Sequence, residues 1–178
     1  HIMKVREAFL PDATGIARVH VESWRSAYRG IVPDSILEGL SYEQKERQWQ
    51  ETFRGTTHQE FVYVAEDEAQ QIIGFASGGP ALGKIDSLYR GELFTIYILD
   101  AYQRQGLGHR FFFQVVERLL TLELTSMLIW VLTENPARRF YEALGGELVR
   151  TGSYEIKGVE LKQVAYGWLD ITHLRRSY

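Results

Sequence analysis

The period of the hydrophobic positions changes several times along the chain. Met3 to Phe9 alternates apolar and polar residues, as a half-buried strand does. From Ala13 to Tyr28 the period lengthens. Ile16, Val19, His20, Trp24, Ala27 and Tyr28 fall at three- and four-residue steps, which predicts a helix with one apolar face, and Gly30 and Pro33 end it. A short helix is expected over Ser35–Leu40, and Ser41 with Gln44 reads as a capping box opening a helix to about Thr52. Phe61–Ala65 and Ile72–Ser77 are β-rich runs joined by a polar turn, hence a hairpin. After a loop over Gly78–Gly91, Glu92–Leu99 is apolar on both faces, the pattern of a central strand covered on two sides. Leu107, Phe111, Val115 and Leu119 then recur every four residues in a helix predicted over Gly106–Leu122. Met127–Leu132 is a buried strand, and Pro136–Leu144 is a short helix stopped by Gly145-Gly146. Two last strands, Glu147–Ile156 and Val159–Leu169, flank a turn at Lys157-Gly158.

This order, one strand, helices, three strands, helix, strand, helix, two strands, predicts an α+β fold. Its sheet is mostly antiparallel, with a parallel pair where the helix over Gly106–Leu122 crosses over. The 178 residues fit one domain, expected over 3–178; His1-Ile2 reads as a cloning scar before Met3, and no secretory signal follows. A net charge of −3 gives no field that favours nucleic acid or an anionic membrane. The longest apolar run is strand-sized, so no membrane association is expected. The chain has no cysteine, which excludes disulfides, thiolate zinc sites and a thiol nucleophile and fits a cytoplasmic protein. The five histidines form no pair at helical spacing, so no metal site is expected.

The candidate chemistry concentrates after the central strand, where Asp100-Ala101-Tyr102 leads into Gln103-Arg104-Gln105-Gly106-Leu107-Gly108 and a long amphipathic helix. A helix start carries unpaired N–H groups and a partial positive charge, and glycines let an anion approach the backbone. Arg104 adds a full charge. The Gly-Lys-Ser/Thr of a P-loop is missing, and Phe111 stands where a dinucleotide fingerprint needs glycine or alanine. On its own such a start is either an anion site or an ordinary glycine-rich turn.

Two separated motifs make the reading specific. Gln103-x-x-Gly106-x-Gly108 after a strand resembles motif A of the GNAT superfamily, its acetyl-CoA loop, and Glu92–Leu99 resembles that family's fourth strand. Asn135-Pro136-Ala137-Arg138-Arg139-Phe140-Tyr141-Glu142-Ala143-Leu144-Gly145-Gly146 is similar to its motif B, with Ala137 one place early and Gly146 where a phenylalanine is usual. The resemblance runs from residue 3 to about 169. It implies a sheet of about seven strands whose fourth and fifth members splay apart, with acetyl-CoA as cosubstrate.

What it implies for chemistry is an N-acetyltransferase acting on a primary amine of a small molecule, peptide or protein by direct attack. The alternative is an acyl-CoA-binding or sensing module without catalysis. The backbone of Tyr97 and Ile98 would hold the pantetheine arm, with the Ile98 N–H at the thioester carbonyl. The amides of Arg104, Gln105, Gly106, Leu107, Gly108 and His109 would take the pyrophosphate. Glu92 is the candidate general base, with water-mediated deprotonation as the other reading. Tyr141 resembles the family's general acid, or else is a core tyrosine beside Phe140. Asn135 reads as the N-cap of its helix, with Pro136 at the first helical position, and matches a family asparagine that contacts pantetheine. Trp24, Tyr28 and Tyr89 are candidate aromatic walls for the acceptor, Trp24 and Tyr28 being equally readable as the core face of the first helix. Relatives often pair through their last strands, so a homodimer is a possible assembly.

Overall fold

The structure, a computed structural model, describes residues 3–55, 59–82 and 88–174. Its elements in chain order are β1 (Lys4–Glu7), α1 (Ala13–Ala27), α2 (Asp34–Glu38), α3 (Tyr42–Phe53), β2 (Phe61–Glu66), β3 (Ile72–Pro80), β4 (Gly91–Ile98), α4 (Leu107–Thr121), β5 (Met127–Leu132), α5 (Arg138–Ala143), β6 (Glu147–Ile156) and β7 (Val159–Trp168), with 3-10 turns at Leu10–Asp12 and Asp100–Tyr102. Every predicted element is present. The first strand is shorter than its alternation suggests, because the chain turns at Leu10 into the 3-10 turn that precedes α1. Ser41 caps α3 as expected, its hydroxyl accepting the Gln44 N–H at 3.2 Å. The predicted helix over Pro136–Leu144 begins regular α geometry only at Arg138. Asn135 still opens it: its Oδ1 accepts the Ala137 N–H at 2.9 Å in a tight turn before α5, so the cap sits on that turn rather than on the α-helix itself.

All seven strands form one sheet in the order β1-β2-β3-β4-β5-β7-β6. Neighbours run antiparallel except β4 and β5, which α4 joins by a crossover. β4 thus lies in the middle, as its two-sided hydrophobicity predicts. One layer below it is α4, which buries Leu107, Phe111, Phe112, Val115, Val116 and Leu119. The other layer is α1 with α3, where Ile16, Val19 and Trp49 meet Val62, Val64 and Phe75. Ala27, expected on the buried face of α1, is exposed instead, and Val21 and Ser23 are buried in its stead. Gly146, where the resembled motif has phenylalanine, lies against Trp168: a Cβ there would stand 2.7 Å from the indole ring. The indole occupies the space a larger residue would need.

Two irregularities open the sheet at its centre. β4 and β5 pair only at Gly91↔Met127 and Glu92↔Leu128, and beyond those residues the two strands diverge. At the same level β4 carries a bulge. Its register with β3 passes from Gly78↔Leu93 to Ser77↔Thr95, leaving Phe94 as the extra residue. Gly78 sits at this shift under close packing, since an added Cβ would lie 2.9 Å from Glu92 O, Phe61 Cζ and Val115 Cγ1 alike. Two of those three neighbours are core side chains and one is backbone, so the space cannot open cheaply. Gly78→Ala is therefore expected to lower stability by about 2 kcal/mol, read as a lower urea midpoint at unchanged slope.

Candidate active site

The divergence of β4 from β5 opens a cavity of about 760 Å³, within the size of small-ligand sites. It extends from the start of α4 through the gap to α1 and the β6–β7 hairpin, and it is lined by residues of each.

At one end stands the loop before α4. Arg104 has φ 63 and Gly106 φ 80, left-handed conformations separated by one residue, which turn the backbone sharply into the helix. Glycine meets the second at no steric cost. The first helical bond runs from Arg110 N to Gly106 O at 3.2 Å, and no side chain caps the helix. The N–H groups of the first turn are thus left for a ligand. Gly108 faces Phe140 of α5, where an added Cβ would stand 3.5 Å from the ring. Gln103, Arg104, Gly106, Gly108 and His109 line the cavity. Gln105 is exposed outside the lining, and Leu107 buries its side chain in the core, so only its backbone remains a candidate contact.

Along the gap, the backbone of β4 is directional. Leu99 N donates to Ile73 O at 2.9 Å, toward β3. Successive residues direct their backbone groups to opposite edges, so Ile98 turns its N–H and C=O to the gap and Tyr97 turns its own to β3. Ile98 O accepts a hydrogen bond from Gln103 Nε2 at 3.1 Å, which ties the strand end to the loop. The expectation that the Tyr97 backbone faces a ligand is corrected on this ground. By the same alternation Ile96, which lines the cavity, turns its backbone to the gap alongside Ile98. Sequence pattern could not single out Ile96, since the edge a residue faces depends on where the bulge falls.

The side chain of Tyr97 does reach the cavity. Its hydroxyl accepts the Trp24 Nε1–H at 3.0 Å, and its ring stacks on His20 at 5.4 Å between centroids. Burial lowers the His20 pKa to about 3, with Lys45 pushing the same way, so this imidazole is neutral. Its Nδ1 accepts the Trp49 indole N–H at 3.1 Å. Tyr28 meets Trp24 edge to face at 4.9 Å and accepts a 3.3 Å hydrogen bond from Asn135 Nδ2. Asn135 thereby joins the end of α1 to the turn before α5.

Tyr141 is buried, and it lines the cavity. Burial, and secondarily Tyr97, raise its pKa well above that of an ordinary phenol. Burial likewise raises Tyr28 and Tyr154 to about 12. All three phenols are therefore protonated at neutral pH. Tyr154 and Trp130, which also line the cavity, carried no signal in the sequence; each lies in a strand whose alternation marks it only as inward or outward.

Two expected site residues lie elsewhere. Glu92 is 7 % exposed but is not part of the cavity lining; it precedes the bulge, at the closed end where β4 still pairs with β5, and its Oε1 accepts the Leu82 N–H at 3.1 Å. Tyr89 packs with Leu128 and Ala165 against Gly167, where an added Cβ would stand 2.5 Å from the phenol ring. It is a packing residue on the sheet rather than a wall of the cavity.

Known proteins share this arrangement. A family model described as FR47-like protein matches residues 73–154. The PaiA N-acetyltransferase of Thermoplasma acidophilum, solved in complex with coenzyme A, superposes with a TM-score of 0.71 at 17% identity, over 92% of this chain and 98% of its own. YncA of Salmonella typhimurium, a putative acetyltransferase solved with acetyl-CoA, gives 0.68 at 17% identity, over 97% and 96%. At such identities the likeness shows the fold. The uncharacterized N-acetyltransferase YuaI of Bacillus subtilis (strain 168) shows more, being 41% identical over 175 residues, which are 98% of this chain and 97% of that protein. With that identity sustained across a sheet that parts between its fourth and fifth strands, the chain belongs to the GNAT superfamily of N-acetyltransferases.

Proposed function

We propose that the protein transfers the acetyl group of acetyl-CoA to a primary amine. The observation that carries this reading is one cavity in which uncapped amides at the α4 start, the edge of β4 at Ile96 and Ile98 that β5 leaves unpaired, and a protonated buried phenol at Tyr141 are lined up together. That sequence matches the parts of an acyl thioester: phosphates, a polar pantetheine arm and a reacting sulfur. The pyrophosphate would rest on the Arg104–His109 backbone with the Arg104 side chain. The pantetheine amides would pair with β4 as an added strand.

In the reaction the amine lone pair forms a C–N bond to the thioester carbon, and the C–S bond breaks as the tetrahedral intermediate collapses. The Ile98 N–H, aimed into the gap, would stabilise the oxyanion in between. The sulfur leaves as a thiolate. An ordinary thiol has a pKa of about 8.5, below that of the Tyr141 phenol, so Tyr141 donates a hydrogen bond to the departing sulfur and water completes its protonation. The attacking amine must lose a proton. Because Glu92 lies off the lining, we assign that proton to water rather than to direct contact with Glu92.

Tyr141→Phe is expected to lower kcat by at least about tenfold while the KM for acetyl-CoA stays within about twofold, measured by thiol release in steady state. Equal kcat in the two proteins would remove Tyr141 from the chemistry. Glu92→Gln should reduce kcat by no more than about threefold; a loss of two orders of magnitude with intact folding would restore Glu92 as the base. The pH profile follows from the raised phenol pKa. The donor form exists below that pKa, so kcat/KM should climb from about pH 6 to about pH 9 as the amine deprotonates. No descending limb from Tyr141 should appear at its ordinary value of about 10.

A further inference from the structure

The two ends of the cavity differ in kind. Among the described lining residues, the ionisable side chains other than tyrosine are Asp100, Arg104 and His109, all between the end of β4 and the first turn of α4. The opposite end is walled by Trp24, Tyr28, Tyr97, Tyr154 and Trp130. Its polar groups are neutral. Tyrosine hydroxyls there stay protonated, and the imidazole stacked behind Tyr97 is held uncharged by burial. The wall is also fixed in place, since Trp24 is tied to Tyr97 through its indole N–H and Tyr28 to Asn135. Ser23, one residue before Trp24 on α1, contributes an unpartnered hydroxyl. It belongs to the lining, is 4 % exposed, and its Oγ has no hydrogen-bond partner among the described residues.

Such an end discriminates between amines. A second ammonium or a carboxylate on the acceptor would be desolvated against rings and neutral hydroxyls, at a cost of several kcal/mol. A flat apolar body instead gains contact with the rings. A lone buried serine hydroxyl gains the hydrogen bond it otherwise lacks.

We propose that the acceptor is a monoamine carried on an uncharged aromatic body, packed against the cavity-facing side of the Trp24–Tyr28 pair with its nitrogen donating to Ser23 Oγ. This inference rests on the acetyl-transfer reading for the direction of the amine but not for its recognition. The test is calorimetric titration of the coenzyme A-saturated protein with phenethylamine, putrescine and free lysine. Phenethylamine, which lacks the second charged group that putrescine and lysine each carry, is expected to bind at least about tenfold tighter than either competitor. Ser23→Ala should weaken phenethylamine binding about fivefold while leaving the melting temperature unchanged or higher, because it removes an unpaired buried hydroxyl. Ala27→Glu, at an exposed position on the same rim, should narrow the preference over putrescine by about fivefold.

Equal or tighter binding of putrescine or lysine overturns the proposal, as does failure of all three amines to bind. Unaltered phenethylamine affinity in Ser23→Ala overturns the role of Ser23. Coenzyme A affinity, measured first, tests the transfer reading by itself. Its absence sinks that reading, while the order of the three amines on the unliganded protein still decides the acceptor class.

Discussion

The parting of β4 from β5 is the constraint on which the site depends. Backbone N–H and C=O groups inside a sheet must find partners, and a central strand normally finds them on both edges. Here β4 has β3 along its whole length but β5 only at Gly91 and Glu92. The remaining edge, at Ile96 and Ile98, opens into a cavity rather than onto a neighbour. An exposed edge of this kind invites an added strand. The fold can keep it open because the layers on either side do not depend on the missing pairing. α4 packs its phenylalanines and leucines against the near face, and α1 with α3 closes the other.

The bulge at Phe94 gives the open edge its direction. An extra residue changes which backbone groups face which neighbour from that point on. With the bulge where it is, Ile98 and not Tyr97 turns its N–H to the gap, and the Tyr97 ring is directed to the α1 side, where it accepts from Trp24 and stacks on His20. One irregularity therefore determines both the polar edge that faces the gap and part of the aromatic wall on the α1 side. Gly78 permits it, since α4 and Phe61 leave no room for a side chain opposite the shift.

This explains which parts of the site were legible in the sequence. Elements with a strong period were read correctly: the four-residue recurrence from Leu107 to Leu119, the two-sided apolar run of β4 and the paired runs of β2 and β3. So was the Gly106 turn, a feature fixed by local chemistry, whereas the Asn135 cap falls on the turn before α5 rather than on the helix itself. Where Glu92, Tyr89 and the Tyr97 backbone lie relative to the cavity was not legible, and the cause is the same in each. Their roles depend on where the strands stop pairing and which edge a residue faces after the bulge, and a one-residue slip leaves composition and period unchanged. Trp130, Tyr154 and Ser23 went unremarked because an inward-facing side chain looks alike in sequence whether it meets a core or a cavity.

The neutrality of the acceptor end bears on the deprotonation step as well as on recognition. An alkylammonium in water has a pKa of about 10, so a carboxylate base is often invoked to remove its proton. Desolvation does part of the same work without one, because moving a cation among uncharged groups favours its neutral form. On the proposed reading, an end without charged groups would favour the neutral form of an entering amine by desolvation, whereas a buried carboxylate beside the nitrogen would hold it charged. Glu92 lying off the lining, before the bulge, is then consistent with the chemistry rather than a defect in it. On the proposed reading, the charged groups gather at the α4 end, where the anionic phosphates would rest, and the neutral ones at the end where the nucleophile would lose its charge.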